Sequence, residues 1–255
     1  MNDKLPFGVL PSKIGRGIAI VIFSNPGIGK THLASTLPEG ETLIVNTEAG
    51  IAPLLGSKHI VWHLQQVMAN GKNVEDAMTE LYMSIRTKAP GYEFIKNVVL
   101  DNVSELSDQL TTHYTKTRGK DFPEIKEHGD TAFKFREWMH DWRDLVELGI
   151  NVVINAWEQD YDIAVADGLV QTRTCPKVGR ANVPSVCGIV DVVGHLENHE
   201  KSGQRWIRIA PSKQYLTKCQ FKGLEDDKGQ VIGQPADLPT LINKIKEYDY
   251  SKRSL

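Results

Sequence analysis

The chain has 255 residues, 30 basic against 32 acidic side chains, a net charge of −2 and an apolar fraction of 40%. This composition excludes a disordered or fibrous chain and suits one large domain, or one domain with a small appendage. No apolar run approaches the roughly 18–20 residues that a membrane helix needs, so no membrane association is expected.

Residues 1–13 carry two prolines and no periodicity, and read as an N-terminal arm. Ile18–Phe23 is a β-branched-rich apolar run, the pattern of a strand buried on both faces. A Gly/Pro-rich turn follows at Ser24–Gly29. A helix is then expected from Lys30 to about Leu37, stopped by Pro38-Glu39-Gly40. Thr42–Val45, Val98–Leu100 and Val152–Ile154 read as three further short strands, each followed by a polar residue: Asn46, Asp101 and Asn155. Helical spacing of apolar residues predicts helices over Val74–Ile85 and Thr131–Leu148. Val190–Leu196 and Ile207–Ile209 are candidate edge strands. Residues 221–236 look like a surface loop, and Asp237–Tyr248 predicts a closing helix. Short strands alternating with helices imply an α/β fold with a mostly parallel central sheet and helices on both faces. The expected organisation is an arm over 1–13, a core over 14–222, and a C-terminal loop and helix over 223–255. Cys175, Cys187 and Cys219 are odd in number and widely spaced, so a reduced, cytoplasmic setting is expected. The eight histidines show no metal-site spacing.

Ser24-Asn25-Pro26-Gly27-Ile28-Gly29-Lys30-Thr31 lies between a buried strand and a helix. It matches the G-x-x-x-x-G-K-[ST] phosphate-loop (Walker A) pattern, except that Ser24 stands at the first glycine. Gly27 and Gly29 let backbone N–H groups turn inward toward phosphate oxygens. The nucleotide-contacting stretch is Asn25, Pro26, Gly27, Ile28, Gly29, Lys30, Thr31 and His32. Lys30 reaches the β- and γ-phosphates, and the Thr31 hydroxyl can hold Mg2+. Asn97–Asp101 is an apolar strand ending in aspartate, the Walker B form, which puts Asp101 beside the same magnesium. Glu48, just past Thr42–Val45, is a candidate general base for the attacking water or an ordinary surface glutamate.

In this order and spacing, Ser24–Thr31, Glu48 and Asp101 resemble the RecA-like recombinase ATPase core. The phrases "PGIGKT", "LIVNTEAG", "VVLDNVSEL", "NVVINAWEQD" and "RIAPSKQYLTKC" are similar to the small phage-encoded RecA-like, AAA-family proteins, which include single-strand-annealing recombinases. The resemblance covers about residues 14–222. It implies ATP and Mg2+ as ligands and Glu48 as the base, with Lys30 neutralising phosphate charge. It implies a γ-phosphate sensor after Val152–Ile154. RecA proper has glutamine where this chain has Ala156, which leaves Asn155 or Glu158 for the role. It puts residues 159–184 in a DNA-binding loop region, with Arg173, Lys177 and Arg180 as DNA contacts, and makes Lys213 or Lys218 a candidate to act on a neighbouring subunit's nucleotide. The implied partners are single-stranded DNA, further copies in a head-to-tail ring or filament, and a single-strand-binding protein. The charge pattern agrees: Gln171–Lys222 holds nine basic and three acidic residues, whereas Glu39–Thr111 holds five basic and ten acidic. Two rival readings remain open: a nucleotide-gated DNA-binding module with little hydrolysis, and a P-loop motor or loader acting on a protein partner.

Overall fold

The computed structural model describes residues 16–48, 50–164, 170–199, 202–232 and 236–248. The expected arm over 1–13 lies outside the described residues. The first half runs β1 (Ala19–Phe23), α1 (Lys30–Ala34), β2 (Thr42–Asn46), β3 (Ile60–His63), α2 (Leu64–Ala69), α3 (Val74–Arg86), β4 (Asn97–Asp101), α4 (Val103–Thr117) and α5 (Ile125–Asp144). The second half runs β5 (Asn151–Ala156), β6 (Glu158–Ala164), β7 (Val170–Pro176), α6 (Val183–Ile189), β8 (Val192–Asn198), β9 (Arg205–Arg208), β10 (Lys218–Cys219) and α7 (Leu238–Lys246).

Eight strands form one sheet in the order β10-β8-β1-β5-β4-β2-β3, with β9 also paired to β8. β1, β2, β3, β4, β5 and β8 are parallel; β9 and β10 run antiparallel to β8. Every residue of β1, β2, β4 and β5 is buried, the state expected of parallel strands covered on both faces. Alternation along each strand divides the core in two. Ala19, Val21, Phe23, Val98, Leu100, Val152 and Ile154 face α3, α4 and α5. Ile20, Ile22, Ile44, Val99 and Val153 face α1 and α7. Helix starts are fixed by side-chain caps: Asn73 accepts from Asp76 N, Asn102 from Glu105 N and Asp237 from Thr240 N.

Three departures from the sequence expectations have simple causes. The helix expected over Thr131–Leu148 begins earlier, at Ile125, because Glu124 and Glu127 form a capping box upstream. The helix after the phosphate loop ends at Ala34, and Ser35–Leu37 continue as turns. Residues 221–236 are not wholly a surface loop: Phe221, Leu224 and Val231 insert into the α7-side core. Among the described residues, no helix is long and apolar enough to cross a membrane.

Parallel pairing brings one row of side chains to the C-terminal edge. Asn46 pairs with Asp101, and Asp101 with Asn155. Phe23, the last residue before the phosphate loop, pairs with Ala156 on one side and His195 on the other. Sheet register therefore gathers residues more than a hundred positions apart around the mouth of β1.

Candidate nucleotide-binding site

Ser24–Gly29 carry the chain from the end of β1 into α1. Gly27 (φ +83°) and Gly29 (φ +109°) both lie in the left-handed region, which an L side chain resists. At Gly29 a Cβ would also stand 2.5 Å from Arg205 Nε and 2.8 Å from its Cζ. Lys30 is buried and folds back under the loop. Its ammonium donates to Ser24 O (2.9 Å), Asn25 O (3.1 Å) and the Ser24 hydroxyl (3.2 Å). Ser24, at the place of the pattern's first glycine, thus adds a hydroxyl to the lysine's cradle. Burial pushes the Lys30 pKa down, while the charges of Asp101, Glu48 and Glu158 oppose that shift. Asn25, Pro26, Gly27 and His32 are exposed, and Ile28 is half-buried.

Thr31 and Asp101 meet directly: the Thr31 hydroxyl donates to Asp101 Oδ2 at 2.7 Å. Asn155 Nδ2 donates to the other carboxylate oxygen at 3.1 Å. Glu48 stands within electrostatic reach of both Asp101 and Lys30. Burial first, and the Asp101 charge second, raise its pKa above the usual carboxylate value. A carboxylate just past β2, an aspartate beside the loop's threonine and a buried lysine are thus brought together.

Residues 16–221 match the family described as an AAA domain. The chain belongs to the AAA domain family. No curated protein matches it. Among solved structures, a KaiC-like protein from the hyperthermophilic archaeon Pyrococcus horikoshii OT3 is similar, with 14% identity over 75% of this chain and 77% of that one, at a TM-score of 0.37. The fold assignment stands on the strand order and phosphate loop described above.

As an AAA domain the chain is a nucleotide-binding P-loop ATPase domain, a class that uses ATP with Mg2+. Its residues fit both. Glu48 Oε1 and Asn155 Oδ1 are buried without a hydrogen-bond partner, and both flank Asp101. Buried polar atoms are normally satisfied, so these two mark where a hydrated cation and water belong. Thr31 and Asp101 would hold Mg2+, which when bound neutralises charge on the phosphate oxygens. No group of three His, Cys, Asp or Glu side chains gathers as a metal site among the described residues. In this arrangement the Lys30 ammonium can meet a phosphate oxygen, and an ionised Glu48 can accept a proton from water.

The sensor candidates separate. Ala156 is buried and offers no polar group. Asn155 touches Asp101 directly. Glu158 turns the other way: it accepts from Asn25 Nδ2 of the phosphate loop and pairs with His195 Nε2 at 3.0 Å. His195 stacks on Tyr215 with ring centroids 3.9 Å apart. Of the residues proposed to act across subunits, Lys218 donates to the carbonyls of Cys187, Gly188 and Val190 at the end of α6, so its ammonium is engaged within the chain. Lys213 is exposed.

Of the expected DNA contacts, Lys177 and Arg180 line one cavity of about 540 Å3 between α4, α5 and the Lys177–Asn182 segment. Arg173 does not line it; its guanidinium is held by Gln171 on the β6–β7 hairpin. Lys177 pairs with Asp108 at 3.0 Å and lies 5.0 Å above the Trp157 ring. Sequence reasoning did not find Arg205 or His195 at the site. Both arrive through the β1–β8–β9 register, for which the local sequence carries no motif.

Proposed function

We propose that this AAA domain is a Mg2+-dependent ATPase of phage DNA recombination that binds single-stranded DNA and promotes annealing. The observation that carries the catalytic half is Glu48, whose unpartnered carboxylate oxygen is buried beside Asp101 and Lys30 at the phosphate loop. An unpartnered base next to a magnesium pair suits activation of water in ATP hydrolysis.

The DNA half is supported by the cavity that Lys177 and Arg180 line. Its wall also includes Ser104, Ser107 and Thr131. The Thr131 hydroxyl is buried there with no partner. Cations, hydroxyls and the flat Trp157 ring under Lys177 are the groups that a single-strand backbone and its bases use. The cavity joins the nucleotide site by two short paths. Ser104, the second residue of α4 and three positions after Asp101, donates to Lys177 O and accepts from Trp157 N. Gln159 follows Glu158, which is bonded to the phosphate loop. Head-to-tail assembly around such a site, and pairing with a single-strand-binding protein, belong to the same reading.

Fluorescence anisotropy with a labelled single strand tests it. The wild type binds in the presence of ATP and Mg2+, with affinity that falls as salt rises. Lys177→Gln and Arg180→Gln each weaken binding and lower the salt slope by about 0.7 for each lost phosphate contact. Absence of binding with ATP present, or an unchanged slope in both variants, overturns the DNA half and leaves a P-loop ATPase that acts on a protein partner.

A further inference from the structure

Arg205 opens β9 opposite Asn198 of β8, at the sheet edge that carries the phosphate loop. Its Nε donates to the loop carbonyl of Ile28 at 2.6 Å. Its guanidinium occupies the space a side chain on Gly29 would need, with Nη2 3.1 Å from that Cβ position. Its own backbone is pinned, since its carbonyl accepts from Ala236 N at 2.6 Å.

What separates Arg205 from its neighbours is its spare hydrogen-bonding capacity. A guanidinium has five N–H donors in a rigid fork. Nε is used on Ile28, and neither terminal nitrogen has a hydrogen bond or ion pair among the described residues. Arg208, three positions along the same strand, is fully engaged: it bonds Glu197 through Nε (2.5 Å) and Nη2 (3.3 Å), and Lys228 O through Nη1. Lys218 is committed to the end of α6. A cation with unused donors is therefore anchored on the one loop built to receive phosphate.

Electrostatics gives it a purpose. Glu48, Asp101 and Glu158 all act on Lys30. A triphosphate entering among three carboxylates brings more negative charge than Lys30 and a bound Mg2+ together offset. Arginine suits the task, because its fork can hold Ile28 and a phosphate at once, whereas Lys30 must leave its carbonyl partners to reach one.

We infer that Arg205 is a nucleotide-contacting residue, supplied by the same chain, that binds the phosphate groups of the nucleoside triphosphate seated in the Ser24–Thr31 loop. The inference rests on nucleotide binding at that loop and adds a residue from outside the Walker motifs.

Titration of fluorescent ATP, ADP and AMP analogues with Mg2+ against the wild type, Arg205→Gln, Arg205→Lys and Lys30→Ala tests it. Arg205→Gln should weaken ATP binding about ten- to a hundredfold, the worth of charge-assisted hydrogen bonds. The loss should shrink from ATP to ADP to AMP. Arg205→Lys should recover part of the ATP affinity, since it keeps the charge but loses the fork. Unchanged ATP affinity in Arg205→Gln, or an equal loss for all three nucleotides, overturns the inference and makes Arg205 a strut for the loop. Should Arg205→Gln fail to fold, Arg205→Lys decides: it can still bond Ile28 O, so wild-type affinity there overturns the inference. Failure of the wild type itself to bind any nucleotide, or binding unchanged in Lys30→Ala, instead overturns the nucleotide-binding reading on which the inference rests.

Discussion

The two phosphate-loop glycines are not equivalent, and their difference is measurable. Alanine at Gly27 meets no atom within 4 Å, so its cost is the left-handed backbone alone, about 1–2 kcal/mol. Alanine at Gly29 adds a collision with the Arg205 guanidinium at 2.5–2.8 Å. The arginine is the movable partner, so it swings away and loses its bond to Ile28 O. That bond involves a charged donor and is worth about 1.5–3 kcal/mol. Gly29→Ala should therefore cost about 2.5–5 kcal/mol in all, against about 1–2 for Gly27→Ala. In an Arg205→Ala background the collision partner is gone, and the cost of Gly29→Ala should fall back to about 1–2 kcal/mol. Urea unfolding of the nucleotide-free protein, followed by tryptophan fluorescence, reads all three costs. Equal costs at the two glycines, or a Gly29→Ala cost that persists in the Arg205→Ala background, would refute the reasoning.

Other consequences follow from the same geometry. Glu48 must be ionised to act as a base, and its pKa is raised. ATP turnover should thus fall with decreasing pH through a value above the ordinary glutamate pKa of about 4.3, and Glu48→Gln should remove about 10²–10⁴ of the rate. Because the folded state disfavours the Glu48 charge, Glu48→Gln should also raise the melting temperature at neutral pH; an acidic limb at ordinary values together with an unchanged melting temperature would contradict this. Trp142 is fully buried against Tyr82, and its Nε1 has no partner. Trp142→Ala should cost about 3–5 kcal/mol by denaturant unfolding, and Trp142→Phe much less. Glu127 is held down to about 2 by its hydrogen bond to Arg118, helped by Glu124 N–H and Lys120. Its contribution is full above the unfolded pKa near 4.3 and is lost as pH falls toward 2; Glu127→Gln should flatten acid unfolding in that window, and an unchanged acid profile would refute the pairing.

What the sequence discloses here depends on how local the information is. β1, β2, β4 and β5 are legible to within two residues because strands buried on both faces are continuous apolar runs. β3 is not: its four residues are all half-buried at the sheet edge, and α2 begins at Leu64 with no turn residue after His63. α4 escapes because its buried face rests on Val103, Leu106 and Leu110 among many hydroxyl residues, so its helical period is faint. The β6–β7 hairpin alternates half-buried and exposed positions without a strong apolar face. The same division runs through the site. Ser24–Thr31 is a contiguous motif whose chemistry is readable at once, and Asp101 and Glu48 sit just past apolar strands. Arg205 reaches the loop, and His195 reaches Glu158 beside it, only because β8 pairs with β1 and β9 folds back on β8. Glu158 was visible as a candidate, but its bonds to Asn25 and His195 needed the same pairing.

The proposed activity is hydrolysis of ATP at the Ser24–Thr31 loop with Glu48 as the base, coupled to single-stranded DNA. The most direct test is the steady-state ATPase rate with Mg2+, with and without a single strand, for the wild type and Glu48→Gln. Turnover should rise with the single strand and be abolished by the substitution, while ATP still binds. Turnover that ignores the single strand, or that survives in Glu48→Gln, would contradict it.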